Sequence, residues 1–458
     1  MAGGLLVLKN YFHGGIHPSD GSDKSLSNQI PIRKFLPKTV EISMKQSPNS
    51  ICTAIVKEGD KVSKGELIGK PTGFSSANIH ASISGTVTKV IKSKDDKDRE
   101  FDIVVIQSDE SNTDSLDTAG GWEYESSLVD LSAYTKEIII AKMEEGGLVG
   151  MGGAGFPTHV KYQTKEIIKY ILINGAECEP YLTCDHTLMR EQGYAIINGV
   201  LLFVKASNAK KAIICFEDNK LDIAKDFEQI ISGKELPIEI KVLPTKYPQG
   251  GERQLVEAVL GMEVPAGELP TSISTIINNV GTAKALADIV LKDEPLISRV
   301  VTVTGMVKEP CNYLVPIGTR FRDLIDMSGG FTSRISRVIE GGPMTGRSIQ
   351  IGGALDDLEG SVAKTTSGLL VLEDSYKIES PCIRCGECER ICPAGLAPFK
   401  IDFAALENDI TLCDKLYATE CISCGSCSYV CPAKRELAYR ITEAKNEIFR
   451  LRRERGAK

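Results

Sequence analysis

The spacing of apolar residues changes several times along this chain, and each change marks a different kind of structure. Between residues 36 and 108, Ala54-Ile-Val56, Glu66-Leu-Ile68 and Gly85-Thr-Val-Thr-Lys-Val90 are short runs separated by Gly59-Asp60 and Ser84-Gly85. Runs of this length, bounded by turn formers, predict strands joined by tight turns. From 125 to 295, helix-like stretches such as Thr135–Gly146 alternate with the apolar runs Tyr170-Ile-Leu-Ile173, Lys211-Ala-Ile-Ile-Cys215 and Ile238-Glu-Ile-Lys-Val-Leu243. That alternation predicts an α/β domain around a buried sheet. Residues 299–375 return to β character, opening with Arg299-Val-Val-Thr-Val-Thr-Gly305. Their helix-like stretch, Phe321–Asp326, stops at Gly329-Gly330, which suits a small β-grasp-like module. Near the C-terminus Leu437, Ile441, Ala444, Ile448 and Leu451 form one apolar stripe of a helix. From Ala433 onward nine Lys or Arg stand against four Glu, so the rest of that helix is basic. It reads as a solvated face, or as a docking helix for a partner or an anionic membrane surface.

These patterns divide the chain into an N-terminal segment (1–35), a β-sandwich (36–108), an α/β domain (125–295), a β-grasp-like module (299–375), a cysteine-rich module (376–436) and a basic amphipathic helix (437–458). The expected fold class is therefore multidomain, mixing α/β and α+β units. His13-Gly-Gly-Ile-His-Pro18 in the first segment reads as a turn rather than a metal site, and the acidic stretch 108–121 as a linker. The pair Val56–Gly65 and His80–Val87 resembles a biotinyl/lipoyl-type sandwich. A carrier domain of that type presents a lysine on the hairpin between such motifs, and Pro71–Ile79 has none. This domain is expected to be scaffold.

Composition narrows the function. With 42% hydrophobic residues and a net charge of −7, the chain is an ordinary globular protein and a poor nucleic-acid binder. No apolar run approaches the ~20 residues of a membrane span, and Met1–Tyr11 lacks the features of a secretion signal. Eight of the 14 cysteines lie in two runs, Cys382-x2-Cys385-x2-Cys388-x3-Cys392-Pro393 and Cys421-x2-Cys424-x2-Cys427-x3-Cys431-Pro432. Zinc sites more often come as separated cysteine pairs. The doubled run is the bacterial ferredoxin spacing, in which three thiolates of one loop and the fourth of the other run hold each [4Fe–4S] cluster. Cys382, Cys385, Cys388 and Cys431 are thus expected on one cluster, and Cys421, Cys424, Cys427 and Cys392 on the other. Assembly from thiolates calls for a reducing compartment.

The glycine run Gly147-Leu-Val-Gly-Met-Gly-Gly-Ala-Gly-Phe-Pro-Thr-His-Val-Lys161 contains a G-x-G-x-x-G, a weak signal alone because it follows a helix rather than a strand. Backbone without side chains can nevertheless approach a phosphate or flat ring and offer it N–H groups. Taken with Asn174-Gly-Ala-Glu-Cys-Glu-Pro180, Gly250-Gly-Glu252 and Ile277-Asn-Asn-Val-Gly-Thr282, in that order, the run resembles the flavin site of the NADH-oxidising subunit of respiratory complex I. Met151 stands where that loop usually has Arg, and Ala176 where it has Asp. Pro244-Thr-Lys-Tyr-Pro-Gln-Gly-Gly251, with the His-Gly-Gly-Ile-His-Pro segment, the lipoyl-like domain and the doubled cysteine runs, extends the likeness. Over residues 10–450 the chain resembles the RnfC family, a component of the Rnf ion-translocating ferredoxin:NAD+ oxidoreductase.

That resemblance implies non-covalent FMN, two [4Fe–4S] clusters and NAD(H) as substrate. It places Gly150, Gly152, Gly153 and Gly155 along the flavin, and Lys161 near its phosphate or ring. Asn174, Glu177, Asn278, Asn279 and Thr282 complete the pocket beside Gly251. Phe156 packs on the nicotinamide, and Glu179 and Glu252 hold nucleotide hydroxyls. No acid–base residue is expected to be catalytic, since the redox chemistry belongs to the cofactors. The implied partners are the other subunits of a membrane redox complex, including a ferredoxin-like iron–sulfur subunit. The implied location is peripheral, on the cytoplasmic side of the inner membrane. Two alternatives remain: the related cobalamin reductase of diol-utilising microcompartments, and a cluster-bearing electron carrier without a working NAD(H) site.

Overall fold

Four parallel strands form the sheet of the α/β domain, in the order Ile238–Leu243, Lys211–Glu217, Tyr170–Gly175, Thr275–Asn279. The computed structural model describes residues 12–18, 24–48, 50–95, 97–109, 123–332, 337–351, 358–373 and 378–456. Most of the expected linker, 110–121, lies outside the described residues.

Three of the sheet strands are largely buried on both faces, as parallel strands between helices must be, while the edge strand Ile238–Leu243 is only partly buried. Helices Gly193–Ser207 and Val280–Leu291 cover one face, meeting so closely that a Cβ on Gly199 would lie 1.8 Å from the Ala283 carbonyl oxygen. Helix Glu252–Leu260 covers the other through Leu255, Val256 and Val259. The first strand in sequence, Tyr170–Gly175, has the second on one side and the last, Thr275–Asn279, on the other. The direction of winding therefore reverses between these two, and such a reversal opens a crevice at their carboxyl ends. Strand register sets Asn174 beside Asn279 at that opening.

The β-sandwich pairs an antiparallel sheet (Thr39–Ser43, Glu100–Ser108, Gly85–Lys94, Lys61–Val62) with a smaller one (Cys52–Ala54, Leu67–Pro71, Ile79–His80). Alternate residues Val40, Ile42, Val104 and Ile106 fill the space between them. A six-stranded sheet packed on helix Phe321–Met327 follows the α/β domain. Its edge strand, Arg33–Lys34, comes from the N-terminal segment and pairs in parallel with Cys311–Pro316. Two charged residues carry no strand periodicity, so only the pairing reveals this strand.

The apolar stripe of the C-terminal helix Leu437–Gly456 lies inside the molecule. Leu437, Ile441, Ala444 and Ile448 are buried against Ile401, Ala404 and Cys413 of the cysteine module, so the apolar stripe is internal rather than a docking face. Buried Asp402 fastens the helix: its carboxylate accepts from Arg435 Nε at 2.9 Å and from Arg440. Removing one partner of such a pair strands the other charges. Asp402→Ala is expected to destabilise the cysteine module by about 3 kcal/mol. Denaturant-induced loss of the iron–sulfur absorption would show it, and an unshifted midpoint would contradict it.

Candidate flavin cleft and two cysteine pockets

The glycine loop sits over the crevice and is held there by backbone bonds. Gly150 N donates to Phe156 O at 2.9 Å, and Met151 N donates to the Thr282 hydroxyl at 3.0 Å. Thr282 lies in the first turn of Val280–Leu291, whose N-cap is Asn279; the Asn279 Oδ1 accepts from Gly281 N at 2.7 Å. Asn279 Nδ2 donates to Asp185 at 2.6 Å, and burial together with the Glu177 carboxylate pushes the Asp185 carboxyl up. Gly152 lies against Asn279, where a Cβ would come within 2.9 Å of Nδ2. Gly152, Gly153 and Ala154 are exposed, and a Cβ on Gly153 would meet no described protein atom within 4 Å. Gly155, at φ +67°, is wedged against Ser47 and Thr365.

The other expected residues divide between the cleft and the chain itself. Lys161 Nζ donates to Ile277 O at 3.1 Å and lies 3.5 Å from the half-exposed Glu252 carboxylate, which follows Gly251, the N-cap of its helix. Asn174 Nδ2 donates to Gly250 O at 2.9 Å, tying the first strand to the Gly250-Gly251 turn. Asn278 turns inward and donates to the Tyr162 hydroxyl at 2.7 Å. Glu177 is buried and caps helix Cys184–Glu191, accepting from Asp185 N at 2.9 Å and His186 N at 3.3 Å. Glu179 accepts from Met344 N at 2.7 Å and Thr345 N at 3.0 Å. Its carboxylate anchors the 341–346 loop, and Glu252 is the acidic side chain left open at the cleft.

Residues outside the expected set hold the cleft together. Lys364 Nζ, buried and pushed down to about 7 by that burial, donates to Asn78 O at 2.6 Å and Gly147 O at 2.7 Å. One side chain thus joins the six-stranded module, the sandwich and the start of the glycine loop. Nothing in the sequence around Lys364 signals this, because its partners are more than 200 residues away. Gly152 and Gly153, exposed on the loop, leave bare backbone that fits the close approach of a flat ring or phosphate.

The cysteines form two groups. Cys382, Cys385, Cys388 and Cys431 line one pocket, and Cys392, Cys421, Cys424 and Cys427 line a second. Each gathers three thiols of one run and the last thiol of the other, as the ferredoxin spacing requires. Burial pushes the thiols of Cys388, Cys392, Cys421 and Cys427 up. A soft metal that takes thiolate offsets that cost, and four thiols around an apolar pocket fit an iron–sulfur cube.

The pockets differ in surroundings. The Tyr247 hydroxyl, in a side chain 2% exposed, donates to Cys424 O at 2.7 Å, and Gln254 Nε2 donates to Pro393 O at 3.3 Å. Gly15 N of the His-Gly-Gly-Ile-His turn donates to Ile391 O at 2.8 Å, and Ile16 N to Tyr247 O at 2.8 Å. These bonds press the second pocket against the α/β domain. The first faces outward, with Cys385 exposed and Ile383 67% exposed.

A flavin cradle joined to a two-cluster module defines an iron–sulfur flavoprotein. The chain belongs to the RnfC family, a component of ion-translocating ferredoxin:NAD+ oxidoreductase complexes. Family models match in order: "RnfC Barrel sandwich hybrid domain" at 10–111, "Nuo51 FMN-binding domain" at 143–288, "SLBB domain" at 300–348 and "4Fe-4S dicluster domain" at 381–435. The RnfC-type component of the Na+-translocating ferredoxin:NAD+ oxidoreductase complex of Acetobacterium woodii is 40% identical over 455 residues, covering 98% of this chain and 99% of that one. The counterpart from the proton-translocating complex of Clostridium ljungdahlii is 38% identical over 401 residues, 86% of this chain and 83% of that one. Among solved structures, an NAD+-reducing [NiFe]-hydrogenase in the H2-reduced state shares the fold, with TM-score 0.51 and 18% identity over 70% of this chain and 61% of that one. The chain therefore carries an FMN-binding domain and a module for two [4Fe–4S] clusters.

Proposed function

We propose that this chain is the NAD(H)-reactive subunit of a ferredoxin:NAD+ oxidoreductase complex, passing electrons between NAD(H), FMN and two [4Fe–4S] clusters. The observation that carries this reading is the contact of the Cys392/Cys421/Cys424/Cys427 pocket with the flavin-cleft domain through Tyr247 and Gln254. FMN supplies the exchange between the electron pair of a hydride and the single electrons of clusters.

The chain's own residues bind and orient. Gly152 and Gly153 give the flavin an approachable backbone and Gly150 and Gly155 shape the loop that presents it, with Asn174, Asn279, Thr282 and Gly251 around it and Lys161 supplying the cation for its phosphate. Glu177 and Asn278 act one layer back, fixing helix Cys184–Glu191 and Tyr162. Glu252 is the carboxylate for nucleotide hydroxyls. The eight clustered cysteines ligate as two sets of four, and the outward-facing set is the exit toward partner subunits, a ferredoxin-like iron–sulfur subunit among them.

No helix among the described residues is long and apolar enough to cross a membrane. Attachment to the cytoplasmic side of the inner membrane through other subunits is consistent with that.

The test is an anaerobic titration of the FMN- and cluster-loaded chain with NADH, followed by absorption. Bleaching of both flavin and iron–sulfur bands is expected. Bound cofactors that NADH leaves oxidised would overturn the reading.

A further inference from the structure

The two cysteine runs share one spacing, yet their turns meet different surroundings. Gly386 and Gly425 hold the same place after the second cysteine of each run, at φ +78° and +77°. A Cβ on Gly386 would meet no described protein atom within 4 Å, whereas one on Gly425 would lie 2.8 Å from Met344 O and 3.6 Å from Met344 Cε. Met344 sits in the hairpin between strands Arg337–Glu340 and Arg347–Gln350 of the six-stranded sheet, but packs on the apolar core of the cysteine module. That hairpin is wound around Glu179. Met344 N and Thr345 N donate to one carboxylate oxygen at 2.7 and 3.0 Å, and the Thr345 hydroxyl donates to the other at 3.2 Å. Gly342 lets the hairpin close, since a Cβ there would lie 2.1 Å from Glu179 Cγ. Three bonds to one carboxylate thus fix where the Met344 side chain reaches.

We infer that Met344, latched by Glu179, covers the second cluster and sets its reduction potential apart from that of the first. The inference rests on the assignment of Cys392, Cys421, Cys424 and Cys427 to one [4Fe–4S] cluster. Both sets are four thiolates in the same motif, so the ligands themselves do not distinguish them. Charge, hydrogen bonds and exposure to water then decide the potentials. Reduction adds negative charge, which water stabilises and an apolar side chain does not. On the first turn Cys385 is exposed and Gly386 is open, while on the second the Met344 side chain occupies the space beside Gly425. The cover therefore holds the second cluster at a lower potential than a bare turn would give. Glu179 acts through the hairpin and is a positioning residue.

The test is an anaerobic potentiometric titration of the FMN- and cluster-loaded full chain with dithionite, read from the paramagnetic signals of the two reduced clusters. Met344→Gln keeps the length of the side chain and brings a polar end to the turn. It is expected to raise the second cluster's potential by about 59 mV, a tenfold shift in the one-electron equilibrium, and to leave the first unmoved. Met344→Leu should keep the original value. Glu179→Ala, which frees the hairpin, should move the second cluster in the same direction. Glu179→Gln, whose amide oxygen still accepts from the two backbone N–H groups, should not. Met344→Gln and Glu179→Ala read the effect independently, so loss of the cluster from one leaves the other decisive. A second potential that stays put at full iron content, or two potentials that move together, would overturn the cover. So would a shift in Glu179→Gln as large as that in Glu179→Ala, because the carboxylate charge rather than the hairpin would then be acting. Cys427→Ala and Cys392→Ala removing different signals would overturn the cysteine assignment instead.

Discussion

Replacing Cys431 by alanine is expected to abolish the cluster of the first cysteine run and spare that of the second, although Cys431 belongs to the second run. Iron content should fall by about half, because each ferredoxin-type set holds one cube. The surviving paramagnetic signal of the reduced protein should match that of Cys385→Ala and differ from that of Cys427→Ala. The reason is the grouping of the thiols: Cys431 lines the pocket of Cys382, Cys385 and Cys388, while Cys392 lines the one with Cys421, Cys424 and Cys427. Cys385 is the suitable reference because it is exposed and its loss leaves the packing intact. If Cys431→Ala and Cys427→Ala removed the same signal, each run would be holding its own cluster and the cross-pairing would be wrong.

The second large effect is expected at Gly153. Valine there should lower FMN affinity at least tenfold, about 1.4 kcal/mol, while leaving the thermal midpoint of the cofactor-free chain unchanged. A Cβ at this position meets no described protein atom within 4 Å, so the fold has nothing to lose. The space it enters is open, and a flat ligand lying on this loop needs the bare backbone there. Gly155→Ala makes the contrast. Its φ of +67° and the crowding of Ser47 and Thr365, each 2.7 Å from an added Cβ, make it a destabilising change. Separate readings of flavin fluorescence and thermal unfolding distinguish the two. Normal FMN retention by Gly153→Val would move the flavin away from this loop.

Much of this could be read along the chain, where the signal was local. The spacing of two within each cysteine run, the apolar runs Tyr170–Ile173 and Lys211–Cys215, and the helix from Thr135 to Gly146 all depend on residues a few positions apart. Other features left no local trace. The strand Arg33–Lys34 exists because Cys311–Pro316 offers it an edge. Within the acidic motif, Asn174, Glu177 and Glu179 look alike in sequence, yet they bond to Gly250, to the start of helix Cys184–Glu191 and to Met344. Tyr247 lies within the Pro244–Gly251 motif and Phe74 within the Pro71–Ile79 turn, but neither segment shows the partner its ring finds.

By itself the sequence determined the raw chemistry: which thiols come in ferredoxin-type runs, where the backbone is bare of side chains, and which segments become strands or helices. These follow from covalent spacing and side-chain period, which act over one or two turns of chain. Only the tertiary structure decided which polar residues open to the cleft and which bond to the chain, where the C-terminal stripe is buried, and which cysteine pocket lies against the flavin domain. Those outcomes belong to contacts such as Tyr247 with Cys424 and Lys364 with Gly147, closed across 177 and 217 residues of sequence. A pattern with a short period carries no information about partners that far away.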